Sequence, residues 1–504
     1  MKIVTLIQES SQLSLFKAIP ESEIDYISAD SRQVEANDIF CVYNSFSENT
    51  STYLHMAKQR GVKTVLIDKN SPHLLVAENF SNVILASGDP MFLHGSIASH
   101  LKKEPSQKLK IIAVTGTNGK TSFTYILGDI IARKKKYGII GTIQVSYGNK
   151  VINTGYTTPD PSSLNRILQD MLADGVEYVF MEASSHGLKL GRLHGIHFYG
   201  AVFTNLSQDH LDFHSSMEDY LDSKFILFQH LESSNHKNKF AVISTYSQGG
   251  RNILSRIRKD GHKTYDVIGF GKGKAYSGEL LDLALGGTSF CLHVKKQASI
   301  QLFTNLLGEF NYENVCLAYI AAIQLGMEAE ELEGILKNLK PVDGRFQIVY
   351  GKNKSRAAIV DYAHTPDALE NVLKSLQAIP HSRLICLFGC GGDRDRGKRP
   401  LMGEVAVKYA DMLILTSDNP RSEDPEQILD DITKGIPETF PSVLRIANRK
   451  QAILKGIQIL PDRGFLLVAG KGHENYQIIG AKKESFSDTI EIQQAFAIDE
   501  SSRR

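Results

Sequence analysis

Ile111-Ile112-Ala113-Val114-Thr115-Gly116-Thr117-Asn118-Gly119-Lys120-Thr121-Ser122 is the stretch on which the fold turns. Its four leading apolar residues suit a short strand buried on both faces. The glycines that follow let the backbone curl so that several N–H groups point at one anion. Beyond them Phe123, Ile126, Leu127, Ile130 and Ile131 recur at helical spacing. Strand, glycine loop and helix start together make a phosphate site, because the helix dipole adds to the loop amides. Lys120 can reach the outer phosphates of a nucleotide, and the Thr121 hydroxyl can ligate Mg²⁺. The spacing is not the common GxxxxGK[ST], since position 114 is Val. A glycine turn that happens to contain Lys-Thr is the plainer reading, and the flanking strand and helix argue against it.

The same alternation extends outward. Apolar runs at 178–181 and 201–203 read as strands, the first ending at Glu182 and the second at Thr204-Asn205. Further along, strands are expected at 358–360, 384–388, 412–415 and 465–468. Helices are expected from Pro366, near 403–409 and after Asp424-Pro425, where Asp caps and Pro suits the first turn. Strand–helix alternation implies parallel sheets with helices on both faces and ligands at the strands' C-terminal ends. Polar seams at 102–108 and near 340–344 divide the chain. The expectation is an α/β protein of three domains: a smaller N-terminal α/β domain at 1–105, a central P-loop parallel-sheet ATPase domain at 106–342 and a C-terminal Rossmann-like domain at 343–504.

Composition narrows the class. The chain has 504 residues, about three domains' worth, with 42% hydrophobic and 22% charged residues, which suits a folded soluble protein. Lys plus Arg is 57 against 56 for Asp plus Glu, so no polybasic nucleic-acid or membrane surface is expected. No apolar run is long enough to span a bilayer, and the apolar stretch near Met1 is too short for a signal peptide, so a cytoplasmic location is expected. Five cysteines are too few, and odd in number, for a disulfide framework. Cys386 and Cys390 have no second pair at metal-site spacing, so no zinc site is expected.

The loop TGTNGKTS resembles the ATP loop of the Mur ligases and of the related folylpolyglutamate synthases, which form amide bonds by activating a carboxylate as an acyl phosphate. The resemblance runs from about residue 25 to 488 and is densest after 110. It implies ATP and Mg²⁺ as cofactors, with Thr115, Gly116, Thr117, Asn118, Gly119, Lys120, Thr121 and Ser122 around the phosphates. Thr204-Asn205-Leu206-Ser207-Gln208-Asp209-His210-Leu211-Asp212-Phe213-His214 resembles the TNLxxDHLDxH stretch of the family. There the first His binds a metal, so Thr121, Glu182, His210 and Lys224 are the implied metal residues, while His214 reads as structural. Lys224 matches a family lysine that reacts with CO₂, giving an anion that can serve a metal. Asn311, in GEFNYEN, is implied on the adenine side, Arg345 near the phosphates and Asp361 on the ribose. Lys120, Lys224 and Arg345 are thus the implied catalytic residues.

The third domain sets the branch of the family. Phe388-Gly389-Cys390-Gly391-Gly392-Asp393-Arg394 and Ser417-Asp418-Asn419-Pro420-Arg421 resemble the branch that adds the third peptide residue, and Asp-Asn-Pro-Arg the version associated with meso-diaminopimelate. A guanidinium fork matches a carboxylate and would repel the ammonium that ends lysine. The resemblance therefore implies Arg394, Asp418, Asn419, Pro420, Arg421, Gly470 and Glu474 around diaminopimelate. It implies Ser31, Thr157, Thr158, Ser184 and Arg192 around UDP-N-acetylmuramoyl-L-alanyl-D-glutamate. The chain departs from the family pattern at Leu190, Gln208, Asp343 and the loop Tyr43-Asn44-Ser45-Phe46-Ser47. A monomer acting in cytoplasmic peptidoglycan precursor synthesis, without nucleic-acid or membrane partners, is expected. A lysine-adding ligase, a folate-tailoring synthase and a catalytically idle nucleotide switch remain the alternatives.

Overall fold

The structure is a computed structural model, described for residues 1–502 apart from positions 9, 212, 260, 262, 263, 285 and 353. Three main sheets follow one another along the chain. The first is five-stranded. Its parallel strands Ile27–Ser28, Ile39–Cys41, Thr64–Asp68 and Asn82–Ala86 are closed at one edge by antiparallel Leu13–Lys17.

The second sheet has eleven strands and is mixed. At its centre Lys110–Thr115 runs parallel between Tyr178–Glu182 and Gly200–Phe203. Outside this parallel core the strands turn antiparallel at both edges, so the sheet is less uniform than simple alternation suggests. Ile112, Val114, Phe180 and Val202 pack on one face under helix Lys120–Ile131. Phe123, Ile126, Leu127 and Ile130 of that helix are buried, as their spacing requires, against helix Glu309–Gln324.

The third sheet places Ala357–Asp361, Phe465–Ala469, Leu384–Phe388, Met412–Leu415 and Val443–Arg445 in parallel, with antiparallel Gln347–Tyr350 at its edge. The order of its strands departs from the order of the sequence, so loops 362–365, 389–397, 416–424 and 470–475 converge at the strands' C-terminal ends.

The polar seam at 102–108 is packed rather than free. Pro105 and Ser106 are buried in a short 3₁₀ turn. Ser106 Oγ accepts from His197 N at 3.1 Å, and Ser106 O pairs with the His236 ring at 3.0 Å. A charged sequence around Pro misleads here because the backbone groups find partners in the central sheet's loops. Helix Pro161–Ala173 is also joined to the first sheet: Ser162 Oγ meets His94 Nε2 at 2.6 Å and Ile27 O at 2.6 Å.

Beneath the third sheet's loops Arg449 and Asp488 form an ion pair with both side chains fully buried, at 2.7 and 2.8 Å. The same guanidinium donates to Ser417 O at 3.4 Å, inside one of the converging loops, and to Ala469 O at 3.0 Å, just before another. Removing one partner strands a charge in an apolar interior. Arg449→Met should therefore cost about 3–5 kcal/mol in urea unfolding, and Arg449→Met/Asp488→Leu should recover most of that loss.

Candidate active site

The phosphate loop takes its shape from strand ends on either side. Gly119 has φ of +86° and Gly116 φ of +153°, both in the region that favours glycine. A Cβ at Gly119 would overlap Asn314 Oδ1, and one at Gly116 would overlap Thr204 Oγ1. Loop 204–207 clamps the curl. Thr117 N donates to Asn205 O and Asn118 N to Asn205 Oδ1, both at 2.9 Å, while Thr204 Oγ1 donates to Asn118 O at 2.6 Å. The first turn of helix Lys120–Ile131 then presents amides that have no acceptor within the helix.

Glu182 sits beside this turn because Tyr178–Glu182 pairs in register with Lys110–Thr115, Glu182 opposite Val114. Its carboxylate is 1% exposed. Oε2 accepts from Thr121 Oγ1 and Thr142 Oγ1, both at 3.0 Å, and Oε1 from Thr142 N at 2.9 Å. Lys120 bends over the loop, its Nζ at 3.0 Å from Gly116 O and 2.8 Å from Thr117 O. Burial lowers its pKa.

Lys224, on helix Met217–Glu232, reaches the same loop from the other side. It is 1% exposed, and its Nζ lies 2.8 Å from Gly116 O and 4.1 Å from the Tyr220 ring centre. Burial, and then the charge of Lys120, holds its ammonium pKa well below the usual lysine value. His210 is a half-exposed neighbour with φ of +54°, a strained angle for a residue with a Cβ. Its ring stands edge-on to His186 at 4.9 Å. His214 is buried, with its ring at 2.9 Å from Ser185 Oγ. Asp212 of this stretch lies outside the described residues.

The third sheet closes the cleft. Arg345 donates to Thr121 Oγ1 at 3.2 Å and lies 4.7 Å from the Tyr362 ring centre. Its Nε is buried without a hydrogen-bond partner, so this cation retains donor capacity at the cleft. Asp361 accepts from Phe346 N at 2.7 Å and Ala363 N at 2.8 Å, and burial raises its pKa against the opposing pull of Arg345. Asp367 accepts from Asn118 Nδ2 and Ser207 Oγ, both at 2.8 Å, joining the two sheets. The resulting cavity of about 270 Å³ is lined by Lys120, Thr121, Ser122, Glu182, His210, Lys224, Arg345 and Asp361, among others.

Not every expected residue faces it. Thr115 is buried beneath the loop, with a hydroxyl that lacks a partner. Asn311 turns its amide back to Leu307 O at 2.7 Å, and it is Asn314 that faces the cavity. Thr157 and Ser184 line the cavity. Thr158 bridges Glu182 O and Ser184 Oγ at 3.0 Å, and Arg192 donates to Thr158 O at 2.9 Å. Ser31 stands apart on the first sheet, its hydroxyl 3.9 Å from Met56 Sδ.

A second cluster lies past Tyr362, whose ring is 5.0 Å from that of His473. Arg421 has φ of +53° and donates to Gly392 O at 2.7 Å. Arg394 and Arg421 flank Gly391. Asn419 Nδ2 donates to Glu474 Oε2 at 2.8 Å. Asp418 Oδ1 is buried with no hydrogen-bond partner, and Gly470 packs beside the same carboxylate.

Thr142, Asn205, Asn314, Asp367 and Lys471 are contributors that the sequence reading missed. Asn205 and Asn314 stand within the family-like stretches 204–214 and 308–314; for Thr142, Asp367 and Lys471 the signal is position, each following a strand or lying at a helix start turned toward the loops.

The oxygen donors fit a magnesium ion. Glu182 and the Thr121 hydroxyl converge within 3.0 Å. Among the described residues no three of His, Cys, Asp or Glu stand close enough to hold an ion by themselves. One carboxylate and one hydroxyl, completed by phosphate and water oxygens, is the sparse protein shell that Mg²⁺ accepts at nucleotide sites.

Residues 114–322 match the Mur ligase middle domain, and 344–472 match the Mur ligase glutamate ligase domain. A relative from Leptospira borgpetersenii serovar Hardjo-bovis (strain L550), UDP-N-acetylmuramoyl-L-alanyl-D-glutamate--2,6-diaminopimelate ligase, is 47% identical over 99% of both chains. One of the same name from Leptospira interrogans serogroup Icterohaemorrhagiae serovar copenhageni (strain Fiocruz L1-130) is 46% identical, again over 99% of both. A solved structure of a UDP-N-acetylmuramoyl-L-alanyl-D-glutamate--2,6-diaminopimelate ligase superposes with a TM-score of 0.70 at 34% identity, covering 99% of each chain. With both the phosphate-loop sheet and the third sheet matched, and relatives alike from end to end, the chain belongs to the Mur ligase family.

Proposed function

We propose that this chain joins meso-diaminopimelate to the D-Glu γ-carboxylate of UDP-N-acetylmuramoyl-L-alanyl-D-glutamate at the expense of ATP, in peptidoglycan precursor synthesis. The observation that carries the reading is the juxtaposition of two sites. A phosphate cleft holding Lys120, Glu182, Lys224 and Arg345 opens past Tyr362 toward a pocket with both guanidinium and carboxylate groups. End-to-end likeness to ligases of that name supports it.

The chemistry follows from the side chains. The γ-carboxylate attacks the terminal phosphorus of ATP, and ADP leaves. The amine of the incoming amino acid then attacks the acyl phosphate, and phosphate departs from the tetrahedral intermediate. Lys120 and Arg345 bring positive charge to the transferring phosphoryl group, where it counts for most in a water-poor site. Bound at Glu182 and the Thr121 hydroxyl, Mg²⁺ would neutralise triphosphate charge. Asp361, pinned by two backbone amides, offers its remaining lone pairs to a ribose. Thr157, Ser184 and the Arg192–Thr158 pair border the side on which the peptide carboxylate would enter.

We read Lys224 as carbamylated. Its depressed pKa favours the neutral amine, which is the form that adds to CO₂; an N–C bond forms and one proton is released. The product is an anion beside Lys120, replacing cation–cation repulsion with attraction. Acidification protonates the amine and reverses the addition, so activity should fall as pH is lowered. A monomeric state and a cytoplasmic location belong to the same reading. No helix of the described residues is long and apolar enough to cross a membrane.

Three outcomes check the reading. Lys120→Ala should lower kcat about 100-fold or more while circular dichroism stays native. Lys224→Arg should lose a similar factor, and ¹³C-bicarbonate should give a carbamate NMR signal in the wild type that is missing from the variant. Arg421→Ala should raise the KM for diaminopimelate about tenfold or more and leave the KM for ATP nearly unchanged, measured by phosphate release. An unaltered diaminopimelate KM would refute the assignment of that pocket.

A further inference from the structure

Lys471 is 0% exposed and stands between two acidic side chains. Burying an ammonium is costly unless its protons are satisfied. Its Nζ lies 2.9 Å from Glu474 Oε2, 3.1 Å from Asn419 Oδ1 and 3.6 Å from Asp418 Oδ1.

These contacts fix the direction of everything around them. Asn419 Oδ1 accepts from Lys471 Nζ and from Ile478 N at 2.9 Å, so the amide cannot flip. Its Nδ2 is thereby aimed at Glu474 Oε2, 2.8 Å away. Oε2 thus holds two donors, and Oε1 receives none among the described residues. Glu474 is left presenting one defined oxygen to a ligand.

The charge balance follows from the same arrangement. Asp418 and Glu474 are two carboxylates in a largely buried wall, and Lys471 offsets one of them. On the far side Arg421 is anchored on Gly392 O at 2.7 Å. An amino-carboxylate end, carrying one charge of each sign, matches Glu474 on one side and Arg421 on the other. An end carrying only an ammonium would meet two fixed cations and just one carboxylate that is not already offset.

We propose that Lys471 is a positioning and specificity residue: it orients Asn419 and Glu474 and sets the pocket's charge so that an amino-carboxylate end is preferred over a lone ammonium. This rests on the reading of the third-sheet pocket as the amino-acid site.

The test is phosphate release by the full chain with ATP and UDP-dipeptide, using either diaminopimelate or lysine as the acceptor. Lys471→Met should raise the KM for diaminopimelate, spare the KM for ATP and shift the lysine-to-diaminopimelate ratio of kcat/KM about tenfold or more toward lysine. A purely structural role would depress both acceptors together and leave that ratio unchanged, which overturns the proposal. Should Lys471→Met fail to fold, Lys471→Gln keeps a donor for Asn419 and Glu474 but removes the charge. A folded Lys471→Gln variant shifted toward lysine supports the charge argument, and one with the wild-type ratio overturns it. Wild-type protein that releases no phosphate with diaminopimelate would instead sink the underlying function, a result distinct from an unchanged ratio.

Discussion

The carboxylate of Glu182 is the constraint from which the site is built. It is nearly inaccessible, so its charge needs donors, and it finds them in Thr121 at the helix start and Thr142 at a neighbouring turn. Those bonds tie three segments, distant in sequence, to one pair of oxygens. Register does the rest: pairing Glu182 with Val114 sets it one residue short of the end of the strand that feeds the phosphate loop. A slip of one residue would turn the side chain to the other face of the sheet.

The cleft is finished by a different sheet. Arg345 reaches Thr121, and Asp367 receives both Asn118 and Ser207. These polar contacts lie beside an apolar seam in which Leu307 and Phe310 of the central region pack into the third sheet's core, so the two halves are joined both through the site and beside it. That arrangement suits an enzyme which must shield an acyl phosphate from water while still admitting its substrates.

Buried cations do for the third sheet what Glu182 does for the second. Arg449 holds one carbonyl within a loop and one before another, Arg399 ties Glu423 and Asp431 while reaching Gly391 O, and Lys471 joins Asn419 to Glu474. A loop fastened by a fully desolvated charge has few alternative positions, because every other one would strand that charge. Left-handed backbone at Arg421 is held by Arg421 N donating to Ile478 O and Gly480 N donating to Arg421 O.

The sequence by itself determined the alternation of strand and helix, the phosphate loop and the positions of the strand ends, because apolar periodicity and glycine placement are local signals. It also singled out Lys120, Glu182, His210, Lys224, Arg345 and Asp361, which the fold brings to one cavity. Only the tertiary structure decided that Thr115 lies beneath the loop, that Asn314 rather than Asn311 faces the cavity, and that the seam near Pro105 is packed. It alone showed the antiparallel edges of the central sheet and the buried Lys471. The reason is physical. Side-chain direction on a buried helix, partners for a polar loop and the neutralisation of an interior charge all depend on atoms contributed from far along the chain, and no local pattern encodes them.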